Sequence, residues 1–290
     1  MGLRLKFNLV LCAVFLAGFA VAGYVSRTLL DRHAREQVLG EARLVMEAAL
    51  AVRGYTVDQV KPHLLDRMDK QFLPQTVPAF AATETLNQLR KKYANYAYKE
   101  ATLNPTNLRD RAADWEADLI QTFRNHAERQ EISGERGTPT GPVLYIAHPI
   151  RIESPACLQC HSTPDAAPPA MLKIYGSANG FGWKLDEVVG AQLVSVPMSV
   201  PLENAAQAFR TFMISLAAVF AAVFVVLNLL LSWLIIRPVS RMSVAADKIS
   251  TGDFDHPEFA ETGNDEVAVL ASSFNRMRRS LEKAMQMIDG

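Results

Sequence analysis

Residues 211–236 read TFMISLAAVFAAVFVVLNLLLSWLII, a run with no charged side chain, and they decide how the rest of the chain is arranged. A helix needs about 20 apolar residues to cross the hydrocarbon core of a bilayer, so this segment is predicted to span a membrane. Arg237, Arg241 and Lys248 follow it, whereas Arg210 is the one base close before it. Basic flanks stay on the cytoplasmic side, which predicts a cytoplasmic C-terminal end.

Beyond the span, Ile235, Val239, Met242, Ala246 and Ile249 step by fours and threes, Gly252 interrupts, and Leu270, Phe274, Met277, Leu281, Ala284 and Ile288 resume the pattern. Each seam is narrow and heptad-like. Two short helices with such seams bury them best as a parallel four-helix bundle in a homodimer; a plain coiled-coil anchor is the blander alternative. With Pro238 just past the membrane, Gly252 opening the connector and Asp265-Glu266 heading the second helix, residues 237–288 resemble a HAMP domain. The resemblance implies signalling roles for Pro238, Gly252 and Glu266, in a bundle whose packing a small movement of the transmembrane helix can change. HAMP units usually feed a kinase, cyclase or methyl-accepting domain, and residues 237–290 contain none. The expected output is therefore a separate cytoplasmic signalling protein, or signalling through the coiled coil of a shortened relative. The chain itself is expected not to be an enzyme.

Toward the N-terminus, residues 7–25 form a second uncharged apolar run. A cleaved signal peptide is the competing reading, with Ala20-Val21-Ala22 as its processing site. The length of the run, and a second span for it to pair with, favour a retained helix. Arg4 and Lys6 suit a cytoplasmic N-terminus, while Arg27, Arg32 and Arg35 pull the other way, so the later span carries the topology. The predicted organisation is a cytoplasmic segment 1–6, transmembrane helices 7–25 and 211–236, a periplasmic domain 26–210 and a cytoplasmic domain 237–290. This describes a two-pass protein of the bacterial inner membrane, in contact with its lipid.

With 30 acidic and 30 basic residues the chain carries no net charge, so nothing marks it as nucleic-acid binding. Three cysteines are too few for a disulfide-stapled scaffold. In residues 26–53, Leu30, Ala34, Val38, Ala42, Val45, Ala49 and Val52 recur at threes and fours, predicting a long amphipathic helix that ends near Gly54 and Pro62. Leu73 to Pro78 reads as a loop because its two prolines restrict themselves and their predecessors. Residues 83–93 read as helix, and Asn104-Pro105-Thr106-Asn107 as a turn before a helix reaching about His126. Gly134 is read as punctuation, residues 142–152 as an extended run, Pro164 to Pro169 as a rigid loop, the glycine cluster 176–182 as a tight loop, and residues 190–198 as a strand.

Between those extended runs lies Cys157-Leu158-Gln159-Cys160-His161. Two thiols three residues apart, followed directly by an imidazole, are what covalent haem attachment needs: the thiols add to the haem vinyl groups and the histidine ligates the iron. A structural zinc site would need four ligands, and the remaining cysteine, Cys12, lies in the apolar run. A disulfide or redox dithiol between Cys157 and Cys160 is possible outside the cytosol, but leaves His161 unexplained. Attachment of c-type haem is carried out outside the cytoplasm in bacteria, which agrees with the predicted topology.

Together with Asn104-Pro105-Thr106-Asn107, Trp115-Glu116 and the Tyr175-Gly176…Gly180-Phe181-Gly182-Trp183 run, this motif makes residues 40–200 similar to the PAS-like c-type haem sensor domains, long a family of unknown function. The resemblance implies an α+β fold, a small antiparallel sheet flanked by long helices, with one covalently bound haem c per chain. Cys157 and Cys160 match its thioether positions and His161 its proximal ligand. It also implies a sixth ligand from an upstream helix; some members are thought to use cysteine there, and no cysteine is present here. His63 is the first choice, with Met68 and His148 as alternatives. Tyr145, Tyr175, Phe181 and Trp183 are candidates for walls of the haem, whereas His33, His126 and His256 are assigned no role.

The expected function is a homodimeric membrane-bound sensor, in which redox change or a diatomic gas alters the iron's ligation and the shift passes to the HAMP bundle. The rival is a membrane-tethered monohaem cytochrome handing electrons to a redox partner, which has no use for a bistable bundle.

Overall fold

The computed structural model describes residues 2–68, 71–255, 257–259, 263 and 265–288, the side chains of Met68 and Ile288 excepted. Its helices are α1 (Leu3–Tyr55), α2 (Leu65–Met68), α3 (Pro78–Arg90), α4 (Asp114–Asn125), α5 (Pro155–His161), α6 (Pro169–Tyr175), α7 (Ser199–Leu230), α8 (Arg237–Ser250) and α9 (Glu266–Ile288). Its strands are β1 (Ala97–Thr102), β2 (Ile132–Thr138), β3 (Gly141–Arg151) and β4 (Val188–Pro197). The chain divides into two compact units, Arg27–Ala208 and the paired segments Met1–Ser26 and Phe209–Gly290.

The first unit is an α+β domain around a four-stranded sheet of order β1-β4-β3-β2, antiparallel throughout. Successive side chains on a strand point to opposite faces, and this sheet buries both. On one face Leu144, Ile146, Val194 and Val196 meet Val38, Ala42, Met46 and Ala49 of α1, with Ala82 and Leu86 of α3. The small residues at 42 and 49 let the α1 backbone lie close to the strands. On the other face Ala147, Ala191 and Leu193 pack against Leu119, Ile120 and Phe123 of α4. Each fully buried Leu, Ile or Phe contributes roughly 2 kcal/mol or more of hydrophobic stabilisation.

Charged pairs fix where α1 lies on the sheet. Arg35 pairs with Glu135 of β2, Arg43 reaches Glu131 at 2.7 Å, and Arg53 pairs with the buried Glu100 of β1. The Tyr98 hydroxyl donates to the other Glu100 oxygen at 2.7 Å, and the Tyr96 hydroxyl to Glu41 of α1 at 2.9 Å. Burial raises the Tyr98 phenol strongly, and Glu100 beside it adds to the effect.

The periodic segments appear where they were expected, with local differences. The long amphipathic helix runs through Gly54 to Tyr55 and tightens only afterwards, through a π-helical turn at Thr56–Val60 and a 3-10 turn at Lys61–His63 that contains Pro62. One glycine within an otherwise well-packed helix costs about 1 kcal/mol, too little to end it. Gly134 does not interrupt the chain but lies inside β2 opposite Tyr145, whose ring occupies the space a Cβ would take. The prolines after residue 163 start helical turns, since proline suits the first helical position: a 3-10 turn at Pro164–Ala166 and then α6.

In the second unit, α7 passes through a π-helical turn at Leu231–Ile236 into α8. The helical stretches Leu3–His63 and Ser199–Ser250 are both long and apolar enough to cross a membrane. Phe15 stacks on Phe220 at 4.7 Å, and Met213 fits over Gly23. Gly252, in the left-handed region at φ +89°, closes α8. Asp265 accepts a hydrogen bond from the Ala268 amide at 2.8 Å and so heads α9. Buried Asn275 of α9 grips Phe259, accepting from its amide at 3.0 Å and donating to its carbonyl at 2.8 Å. Of the side chains named earlier, those of Met68, His256 and Ile288 lie outside the described residues.

The Arg43–Glu131–His148 cluster makes a pH prediction. The Arg43 hydrogen bond holds the Glu131 carboxyl below its ordinary value of 4.5; partial burial opposes this and His148 adds to it. A carboxyl lowered on folding contributes stability that is complete above its unfolded pKa and is lost as pH falls through the folded one. Glu131→Gln should therefore lower the thermal midpoint at neutral pH, and the gap to the native protein should begin to narrow near the ordinary carboxyl value of 4.5 and close as pH falls through the lowered folded value. Thermal melts of the full-length protein in detergent across that range measure it.

Candidate functional site

The three residues of the motif share one short helix. Ser154 caps α5, its Oγ accepting from the Ala156 amide at 3.3 Å, and Pro155 starts the first turn. Cys157 and Cys160 are free thiols, each half-buried. Around Cys160 stand Phe72, Met171 and Tyr175, with the Phe72 and Tyr175 rings edge to face at 6.0 Å. Burial pushes the Cys160 thiol upward, partly opposed by Lys61.

His161 faces a different set of partners. Its ring lies flat on Trp183, with centroids 4.0 Å apart and planes 13° apart. Its Nδ1 is 2.8 Å from the Gly180 carbonyl oxygen and 3.4 Å from the Thr106 hydroxyl. A carbonyl oxygen only accepts, so Nδ1 carries the proton and Nε2 keeps its lone pair. Burial lowers the imidazole pKa, opposed by the Gly180 bond. The ring is therefore neutral at neutral pH, with one nitrogen oriented by the protein and the other available to a metal.

The glycine cluster supplies that carbonyl. Gly176, Gly180 and Gly182 all have positive φ. The loop pairs with the end of α5 through Gly182 N to Ser162 O at 2.9 Å and Trp183 N to His161 O at 3.2 Å. Asn104 holds it from the side of β1, accepting from the Gly180 amide at 3.2 Å and donating to the Phe181 carbonyl at 3.3 Å. At Gly180 an added Cβ would fall 2.1 Å from Thr106 Oγ1 and 2.8 Å from Thr106 Cα.

The arrangement fits a covalently held haem. The two thiols lie one helical turn apart with Cys160 against an apolar wall, while the imidazole is turned to its own carbonyl and indole. Among the described residues no three His, Cys, Asp or Glu side chains are grouped to hold one metal ion, whereas a zinc site draws its ligands to a point.

The other candidates are dispersed. His63 ends the exposed 3-10 turn after α1. His148 lies on β3 with Nε2 3.1 Å from Glu131. Tyr145 packs on Trp115 at 5.3 Å within the α4 cluster. Trp183, Tyr175 and Phe181 do lie at or near α5. Phe72 and Met171 were missed because they are neither periodic nor part of a motif. Asn104 and Thr106 were visible as a turn, but their contact with residue 180 was not.

These features define a sensory domain followed by a two-helix signalling unit, and comparison with known proteins places both. The Tll0287-like family pattern matches residues 31–197, and that of the HAMP domain residues 230–283. The chain belongs to the Tll0287-like family. The crystal structure of the cyanobacterial heme-protein Tll0287 is similar at TM-score 0.43 and 15% identity, over 55% of this chain and 94% of that one. Heme sensor protein HssS from Staphylococcus aureus, in strains JH9 and Newman, is 35% identical over 79 residues, or 27% of this chain. The match spans only 17% of the length of those relatives.

The glycine loop yields a contrast. Gly180→Ala should destabilise the protein by about 2–4 kcal/mol, from backbone strain plus the clash with Thr106. Gly182→Ala, also at positive φ but with open space around it, should lose only about 1 kcal/mol from strain. Paired thermal or denaturant melts of the two variants test the difference.

Proposed function

We propose that this chain is a membrane-bound haem sensor and signal transducer, with one haem c joined to Cys157 and Cys160 and ligated through Nε2 of His161. The observation that carries the reading is the division of labour on α5: Cys160 stands against an apolar cluster with Cys157 one turn before it, while His161 Nδ1 is committed to the Gly180 carbonyl. The haem supplies an iron whose oxidation state or gas ligation changes. Cys157, Cys160 and His161 would hold it, the Gly180 carbonyl would orient the imidazole, and Phe72, Tyr175 and Trp183 would shield the site. His63 is the proposed sixth ligand, with Met68 and His148 as alternatives; His148 would have to leave Glu131 to serve.

In this reading residues 7–25 and 211–236 cross the inner membrane, residues 26–210 face the periplasm and residues 237–290 are cytoplasmic. Basic residues 237, 241 and 248, and the apolar character of both helical stretches, support that topology. The signal is redox state or a small gas such as nitric oxide, carbon monoxide or oxygen. Two chains associate through their HAMP and juxtamembrane helices, since the α9 seam residues Leu270, Met277 and Leu281 are exposed in one chain. The output passes to a separate cytoplasmic signalling protein, and no catalytic step is assigned to these 290 residues. For the signal to invert the bundle's preference, the two haem states must differ by a few kcal/mol in the packing they favour.

Expression with the c-type maturation machinery tests the cofactor. A denaturing gel should show a haem-staining band for the native chain, weakened in each single variant Cys157→Ala and Cys160→Ala and lost when both are replaced. A native chain without covalent haem, beside a control cytochrome that matures, contradicts the proposal. Glu266→Ala separates sensing from electron carriage: a sensor loses its cellular response with haem redox behaviour unchanged, whereas a carrier's electron transfer is unaffected.

A further inference from the structure

We propose that Asn104 is the positioning residue for the axial imidazole: its side-chain amide fixes the Gly180 carbonyl that accepts the His161 Nδ1 proton, and so sets the reduction potential of the iron. The inference rests on the haem reading above and adds to it a residue that touches neither iron nor thioether.

The geometry is specific. The Gly180 carbonyl belongs to the peptide unit joining residues 180 and 181. Asn104 Oδ1 accepts from the Gly180 amide on one side of that unit at 3.2 Å, and Asn104 Nδ2 donates to the Phe181 carbonyl on the other at 3.3 Å. One side chain thus bonds both flanking peptide units, the 181–182 unit being held also by its Gly182 amide on the Ser162 carbonyl at 2.9 Å, and the carbonyl between them is left to His161 at 2.8 Å. The bonds from Gly182 and Trp183 to the end of α5 hold the loop after the carbonyl, whereas on its N-terminal side the backbone bond is the one from the Gly180 amide to Asn104, and Gly176 and Gly180, both at positive φ, leave that side conformationally free. Thr106 pressed against Gly180 limits movement toward the 104–106 segment, but holds neither of the two flanking peptide units.

The chemical consequence follows from the sign of the interaction. A hydrogen bond from Nδ1–H to a carbonyl raises the basicity of Nε2, and a more basic axial ligand favours ferric over ferrous iron. When the carbonyl is free to swing away, that donation weakens and the ferrous form is relatively favoured. The bland alternative is that Asn104 only closes the turn after β1. Asn107 controls for it: it lies in the same turn, accepts from the Arg109 amide at 3.2 Å, and is not bonded to the glycine loop.

The test uses the full-length, haem-loaded protein in detergent, with spectroelectrochemical titration of Asn104→Ala, Asn104→Ser and Asn107→Ala. Both Asn104 variants should shift the midpoint potential to more positive values and lower the Fe–His stretching frequency of the ferrous form in resonance Raman, while Asn107→Ala leaves both unchanged. Two substitutions of different size at position 104 keep poor maturation of one from deciding the matter, and covalent haem staining is read separately for each. Loaded Asn104 variants with native potential overturn the inference, as does an equal shift in Asn107→Ala. Failure of the native chain to take up covalent haem overturns the cofactor reading instead.

Discussion

One hydrogen bond organises the candidate site: His161 Nδ1 to the Gly180 carbonyl, 2.8 Å long. It fixes the tautomer of a half-buried imidazole and leaves Nε2 for a metal. Everything needed to make it comes from separate parts of the chain. The histidine ends α5, the carbonyl comes from a loop that only glycine can trace, and the flat face beneath the ring is Trp183. Asn104, two residues past β1, ties the loop to the sheet domain. The site is therefore as rigid as the junction between these segments, and not as mobile as a surface loop with three glycines would otherwise be.

The same junction is linked through β1 to the helix that carries the proposed signal. Asn104 follows β1, whose buried Glu100 pairs with Arg53 near the end of α1. That helix continues without a break from Tyr55 back to Leu3, through the apolar segment proposed to cross the membrane. Arg43–Glu131 and Arg35–Glu135 hold the same helix at two further points across the sheet. Within the sheet domain α1 is therefore held by packing and by charged pairs together, and packed interfaces are bistable and not continuously deformable, the property a transducer needs.

How much of this was legible in the sequence depended on the kind of signal. The Cys157–His161 motif, the amphipathic repeat of α1 and the uncharged run 211–236 are local patterns with strong periodic or chemical content, and all three lie on helices, the repeat of α1 facing the sheet as its period requires. β1 and β2 were not legible. Ala97–Thr102 carries polar residues that are buried through pairing, including Glu100 with Arg53, and Ile132–Thr138 contains two glycines that look like turn residues. Gly134 is there because Tyr145 needs its space, a cross-strand fact that no window of sequence contains. Asn104 was read as part of a turn before a helix. Its partners lie more than 70 residues away, so its role became visible only in three dimensions.

The central claim is that the state of the haem alters the packing of the cytoplasmic bundle, and one measurement addresses it directly. A cysteine placed at the exposed seam position Leu281, in a chain with Cys12→Ser, is cross-linked with a bismaleimide in membranes whose haem is held ferric or ferrous. The account predicts covalent dimers that form at different rates in the two states, with the difference abolished by His161→Ala. Equal rates in both states, from protein that carries covalent haem, would contradict it.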